Sequence, residues 1–240
     1  MCFGRHGAPS SQRWRLSIQL PYSNNFKTVW ECSDAVADGL VDWRSVLVQG
    51  CPLCGRHDCW RVLTPYERKV IELMPYREGV VLVARFLCRT TGKTFSLLPF
   101  WLAPYHLYTS ASMVLALLLA VATRPDGIKS LFAAAEQKLE GDCRANGFLL
   151  GCWLVLCVTG LHRAHTELAR WANFDGLKPG RDVYGQLDEL VDYCQALEIR
   201  DPPLLDGPRG LDEVLERHAR TTGRFLFGTP SQDRGGRVAP

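Results

Sequence analysis

The sequence predicts an α+β fold, in which a small antiparallel β-sheet is followed by an all-α region and a disordered tail. Three observations predict it. Residues 51–108 alternate cysteine-bearing turns with β-branched runs, of which Val80-Val81-Leu82-Val83-Ala84-Arg85-Phe86-Leu87 is the longest. From Thr109 the apolar residues recur at helical spacing. After Asn173 the density of Gly, Pro and Asp rises, and Thr229–Pro240 has the composition of a disordered end. The expected divisions are a flexible segment over 1–28, a sheet domain with a preceding helix over 29–108, a helical domain over 109–174 and an acidic helical and disordered tail over 175–240. With 240 residues, 47% of them hydrophobic, the chain can bury one medium core or two small ones.

Taken in order, residues 1–28 show no sustained period. Trp30 to Leu47 spaces Val36, Leu40, Trp43 and Leu47 as a short helix would, with Ser33 or Asp34 as its N-cap and Gly50 as its end. Trp60–Leu63 reads as a strand that Lys69–Leu73 extends or repeats. Glu78-Gly79 reads as a turn, Val80–Leu87 as the second long strand, and Lys93–Leu98 as a return strand stopped by Pro99. Helices are expected over Ser110–Thr123, Ile128–Leu139, Gly147 to about Trp171, Val183–Leu197 and Leu211–Arg220. Pro125-Asp126-Gly127 breaks the first from the second, and Asp201–Gly210 forms a linker.

The chemistry concentrates at the cysteines. Cys51-Pro52-Leu53-Cys54-Gly55 is a tight knuckle that aims two thiolates at one point, with Gly55 free to take a left-handed backbone angle. A second knuckle is half present, because Cys88 and Gly92 stand in place while Thr91 occupies the position of a fourth cysteine. This is the pattern of a zinc ribbon with one ligand missing or replaced. The expected structural zinc ligands are Cys51, Cys54 and Cys88, with Cys59 or His57 bending back to the fourth position; a three-cysteine or empty site is the alternative. The chain has ten cysteines, yet Met1–Gln19 has no apolar signal region, so a reducing, cytoplasmic setting is expected.

Charge is uneven. Residues 51–108 hold eight Lys and Arg against four Asp and Glu, whereas 175–240 hold nine against twelve. Arg56, Arg61, Arg85, Arg89 and Lys93, with Arg68 and Lys69 beside Trp60 and Tyr66, could form a face that tracks nucleic-acid phosphates, or simply the solvated face of a small sheet. His162 and His165, with Glu167 nearby, read as a solvated helix face, since no H-E-x-x-H is present. The longest apolar run, Gly147–Leu161, falls short of the roughly 18–20 residues of a membrane-spanning helix, so a buried helix and no membrane association are expected.

The order Cys51-Pro-x-Cys54-Gly, Arg85-Phe86-x-Cys88, Gly92-Lys93-Thr94-Phe95-Ser96-Leu97-Leu98-Pro99 and Pro104-Tyr105-x-x-Tyr108 resembles an uncharacterised bacterial family. Its members carry a transposase-like N-terminal zinc ribbon followed by a helix-turn-helix. The resemblance covers roughly residues 45–170 and implies binding of double-stranded DNA in connection with mobile elements, with zinc holding the ribbon together. Two departures stand against it: Thr91 replaces a cysteine, and no basic residue occurs between Gly147 and Leu161, where a recognition helix should face a major groove. That apolar helix therefore carries a second expectation, a protein–protein adaptor with a degenerate zinc knuckle. No Gly-rich phosphate loop, G-x-S-x-G or Cys/His nucleophile context is present, and too few residues follow 109 for a nuclease core, so no catalysis is expected.

Overall fold

The computed structural model describes residues 18–22, 26–73, 75–122, 145–199 and 209–228. Its architecture is mixed α+β, with a four-stranded sheet covered by helices. The strands are β1 (Ile18–Tyr22), β2 (Trp60–Leu73), β3 (Tyr76–Cys88) and β4 (Thr94–Pro99), in the order β1-β4-β3-β2. The helices are α1 (Val29–Ala37), the single turn α2 (Trp43–Val46), α3 (Ser110–Ala122), α4 (Gly147–Leu168), α5 (Val183–Ala196) and α6 (Arg209–Thr222).

β2 and β3 form one long antiparallel hairpin whose ladder runs from Trp60↔Cys88 to Leu73↔Tyr76. Its register is irregular only between Leu63 and Tyr66, where Pro65 has no N–H to donate to the ladder. The two stretches read from sequence as separate strand signals are thus one strand. The ladder runs on to Leu73↔Tyr76, so Glu78-Gly79 is not the turn but pairs within the ladder, with Ile71 and Val70. Gly79 is instead a point of close approach: a Cβ there would lie 2.7 Å from the Trp30 ring. That indole donates to Glu72 Oε2 at 2.7 Å and carries the Arg77 guanidinium 4.2 Å above its centroid.

Within the stretch 1–28, expected to be flexible, the described residues Ile18–Tyr22 form a strand. Ile18–Tyr22 pairs in parallel with β4, from Ile18↔Phe95 to Tyr22↔Pro99, so the sheet is mixed rather than purely antiparallel. An apolar–polar alternation of only five residues is too short a signal to read without its partner. The expected Trp30–Leu47 helix is also divided. Thr28, not Ser33 or Asp34, caps α1 by accepting the Glu31 N–H at 3.1 Å, and Asp38-Gly39 ends it, Gly39 taking φ 68°. Ser33 is buried and accepts the Leu82 N–H at 2.9 Å, beyond the last β3–β4 pair at Ala84. α2 places Trp43 edge-on to Tyr22 and Phe86, and Phe86 stacks on Phe95 at 5.0 Å. This aromatic cluster packs beneath the cysteine-bearing end of the sheet.

The helices share the core. The Leu73 N–H donates to Ser112 Oγ at 3.0 Å, fixing the start of α3 against the end of β2. Met113 and Leu117 of α3, Leu150, Trp153 and Leu154 of α4, and Leu187 of α5 are fully buried. His165 Nδ1 pairs with the Tyr193 hydroxyl at 2.7 Å, and His162 pairs with Glu189, whose other oxygen accepts the Gly180 N–H at 2.9 Å. The two histidines are exposed, as expected of a solvated helix face, and they also bridge α4 to α5. Gly160 lets the chain at Leu226 cross α4, because a Cβ there would meet the Leu226 carbonyl oxygen at 2.4 Å. The described C-terminal segments, α5 and α6, are accordingly integral to the core.

Among the described residues α4 alone is long and apolar enough, by length and composition, to cross a membrane. Its 22 residues exceed the run read from sequence because the helix continues through His162–Leu168, and ten of them are buried inside the fold. The expected second helix, Ile128–Leu139, lies outside the described residues, as do the Pro125-Asp126-Gly127 break and the tail from Thr229.

Candidate metal centre

The two knuckles have the same backbone geometry. In the first, the Gly55 N–H donates to the Cys51 carbonyl at 2.7 Å with Gly55 at φ 74°. In the second, the Gly92 N–H donates to the Cys88 carbonyl at 2.8 Å with Gly92 at φ 64°. A left-handed residue closes each turn, and only glycine adopts it without steric cost. Gly50 permits the first turn to fold on itself, since a Cβ at that position would lie 2.4 Å from the Gly55 carbonyl oxygen.

The Sγ atoms of Cys51, Cys54, Cys59 and Cys88 all lie within 4.8 Å of one another, and no disulfide joins them. Cys88 Sγ is 3.6 Å from Cys54 Sγ and 3.8 Å from Cys59 Sγ, while Cys54 and Cys59 approach to 3.1 Å. A tetrahedral ion with metal–sulfur bonds of about 2.3 Å requires sulfur–sulfur separations near about 3.8 Å, close to what the cluster provides. Cys51, Cys59 and Cys88 are buried and Cys54 is half-buried. The donor set is therefore four thiols converging on one point in a largely closed site, which could hold a metal ion.

Cys59 reaches the cluster because the hairpin takes it there. It immediately precedes β2, whose first residue pairs with Cys88, and its carbonyl accepts the Arg89 N–H at 2.7 Å. The Cys51 N–H donates to the Arg56 carbonyl at 2.8 Å and turns the intervening loop back on the knuckle. His57 rides on the outside of that loop, exposed and apart from the four sulfurs. Of the two candidates for the fourth position, the structure brings in Cys59 and leaves His57 out.

Thr91, standing where a fourth knuckle cysteine would be, points its N–H at Cys88 Sγ at 3.4 Å. Burial pushes the Cys88 thiol up, but the hydroxyl and N–H of Thr91, with the Cys54 and Cys51 thiols, more than offset it and bring it down to about 6. Burial holds the Cys51 and Cys59 thiols above their ordinary range. Cys88 is thus the thiol most ready to ionise, the form a metal requires.

The basic residues divide. Arg61, Arg85, Arg89 and Lys93 are exposed around this end of the hairpin, and no ion pair is found for them among the described residues. Arg56 pairs with Asp58 at 3.7 Å. Lys69 pairs with Glu78 at 2.5 Å, and Arg68 turns inward to donate to the Ala103 carbonyl at 2.6 Å and to that of His106. Residues 79–125 contain no Asp or Glu at all, so Arg85, Arg89 and Lys93 have no acidic neighbour along the chain. No family model matches the chain, and no curated protein or solved structure matches it either.

Proposed function

We propose that the chain is a non-catalytic nucleic-acid-binding protein of the zinc-ribbon kind, with zinc on Cys51, Cys54, Cys59 and Cys88 and DNA as its partner. The supporting observation is the juxtaposition of a four-thiol cluster with four exposed cations that form no ion pair among the described residues, at the same end of the hairpin. Zinc in a closed tetrathiolate site is structural: it has no open position for substrate, and it ties the loop before β2 to the turn after β3. With that end rigid, Arg61, Arg85, Arg89 and Lys93 sit at fixed spacing, as phosphate contacts require. The role fits an accessory or regulatory protein of a mobile element, positioned on DNA by its ribbon rather than by a recognition helix. The burial of Leu150, Trp153 and Leu154 favours this over the adaptor reading, because it turns most of the apolar α4 surface inward.

Electrophoretic retardation of a duplex across a salt series tests the proposal. Affinity should fall with a log–log slope near −0.9 per contacted phosphate, and joint replacement of Arg85, Arg89 and Lys93 by Ser should flatten that slope. These side chains are exposed, so the variant should keep its fold. No retardation of either a duplex or a single strand at low salt would contradict the proposal.

A further inference from the structure

One loop beside the hairpin is more rigid and more strained than a connection between β4 and α3 needs to be. The Leu102↔Thr109 and Ile71↔Tyr108 bridges close its ends, and Ile71 both donates to and accepts from it, through the Leu107 carbonyl at 2.9 Å and the Thr109 N–H at 3.1 Å. Arg68 clamps its middle through the carbonyls of Ala103 and His106. At its tip Tyr105 takes φ 64°, the left-handed region that a bulky side chain occupies only at a cost, and yet its ring is 67% exposed. Among the described residues nothing in the packing accounts for a tyrosine there, since glycine would fit the turn without strain.

The loop's surroundings indicate what the ring meets. Cross-strand pairs Leu63↔Arg85, Tyr66↔Val83 and Arg68↔Val81 place Arg85, Tyr66 and Arg68 on one face of the hairpin, with Arg61 on the same face beside Leu87. Seven residues of strand separate Arg61 from Arg68, about 20 Å at about 3.3 Å per residue. The face thus leads from the exposed cations at the metal end to the loop that presents Tyr105. Arg68 has no acidic partner among its hydrogen bonds, and its Nη1 is buried without an acceptor. The loop itself lies within the acid-free stretch of residues 79–125. Exposed cations at Arg61 and Arg85, with a fixed, exposed aromatic ring beyond them on the loop that Arg68 holds in place, are an arrangement that can hold a phosphate backbone and stack one unpaired base.

We propose that Tyr105 is a base-stacking platform and that the preferred ligand is single-stranded nucleic acid, or a duplex with an unpaired segment, rather than a continuous duplex. This rests on the nucleic-acid reading above and names the strand form it takes. The zinc-loaded full chain is titrated with an oligothymidylate of about 20 nucleotides, longer than a site of about 4–16 nucleotides, and with a blunt duplex of equal length. The single strand should bind more tightly. Tyr105→Ala should weaken it by roughly 10- to 100-fold while leaving the salt slope unchanged, and Tyr105→Phe should restore binding, as stacking needs the ring and not the hydroxyl. Tyr105→Gly, which relieves the backbone, should melt at a higher temperature than the native chain and bind as weakly as Tyr105→Ala. A merely structural tyrosine would not produce that combination. Equal affinity for both probes, or full binding by Tyr105→Gly, overturns the inference while leaving the nucleic-acid proposal standing. Failure of both probes to bind overturns both.

Discussion

Asp212→Asn should make this protein more stable at neutral pH and should lose that advantage as pH falls to about 4. Asp212 lies in the first turn of α6 with its Oδ1 buried and without a hydrogen-bond partner. Burial, helped by the nearby Glu72 and Glu216 carboxylates and opposed by the Trp101 hydrogen bond, pushes its carboxyl from 3.8 up to about 6. The sign follows from linkage. A folded-state pKa above the unfolded one means the folded protein holds its proton more tightly, so the associated stability is complete below about pH 4 and lost as pH rises through about 6. A displacement of that size is worth roughly 3 kcal/mol at neutral pH, or about 5–10 °C in melting temperature for a chain of this length. Asparagine is neutral throughout and keeps an acceptor for Trp101. Thermal unfolding followed by circular dichroism from pH 4 to 8, native and variant side by side, isolates the effect, because any contribution from the cysteine cluster is common to both. The gap should be small at pH 4, about half its full size at pH 5, and level above about pH 6.5. A gap independent of pH, or a variant less stable than native at pH 7.5, would refute the reasoning.

Two further substitutions address single contacts. Gly79→Ala should cost roughly 1–3 kcal/mol in denaturant unfolding, since the added methyl displaces Trp30 from its contact with β3; an unchanged midpoint would mean the indole is not seated there. Thr91→Val removes the hydroxyl that lowers Cys88 while keeping the backbone N–H. Competition against a chromophoric chelator should then show about a 10-fold weaker hold on zinc, and the midpoint of acid-induced metal loss should move up in pH because Cys88 becomes harder to deprotonate.

What the sequence discloses depends on whether a feature is local. The C-P-x-C-G turn, the valine-rich β3 and the β4 strand ending at Pro99 are each carried by adjacent residues, and each is where its pattern puts it. β1 is different, because five residues with no turn signal become a strand only by lying against β4, and that pairing spans more than seventy positions of chain. Gly79 misled for a related reason. A glycine within a strand can mark a turn or a close approach, and the Trp30 ring that decides between them lies far away in sequence. At the candidate metal centre, three of the four thiols follow from the knuckle spacing. The choice of Cys59 over His57 follows from hairpin register: Cys59 abuts the first residue of β2, and that residue pairs with Cys88, whereas His57 sits two residues out on the loop. The burial of α4 was legible in its uniform apolar content, but its partners on α5 were not, since Glu189 and Tyr193 read as ordinary residues of an acidic helix.

The central claim is that four cysteines, three from the loop before β2 and one from the end of β3, hold one structural zinc. Zinc per chain, measured by elemental analysis after purification under reducing conditions, tests it most directly in the native protein, His57→Ala and Cys59→Ser. The native chain and His57→Ala should each carry about one equivalent, because a closed tetrathiolate retains its metal, and Cys59→Ser should lose it. Less than about a tenth of an equivalent in the native chain, or zinc kept by Cys59→Ser and lost by His57→Ala, would contradict the account.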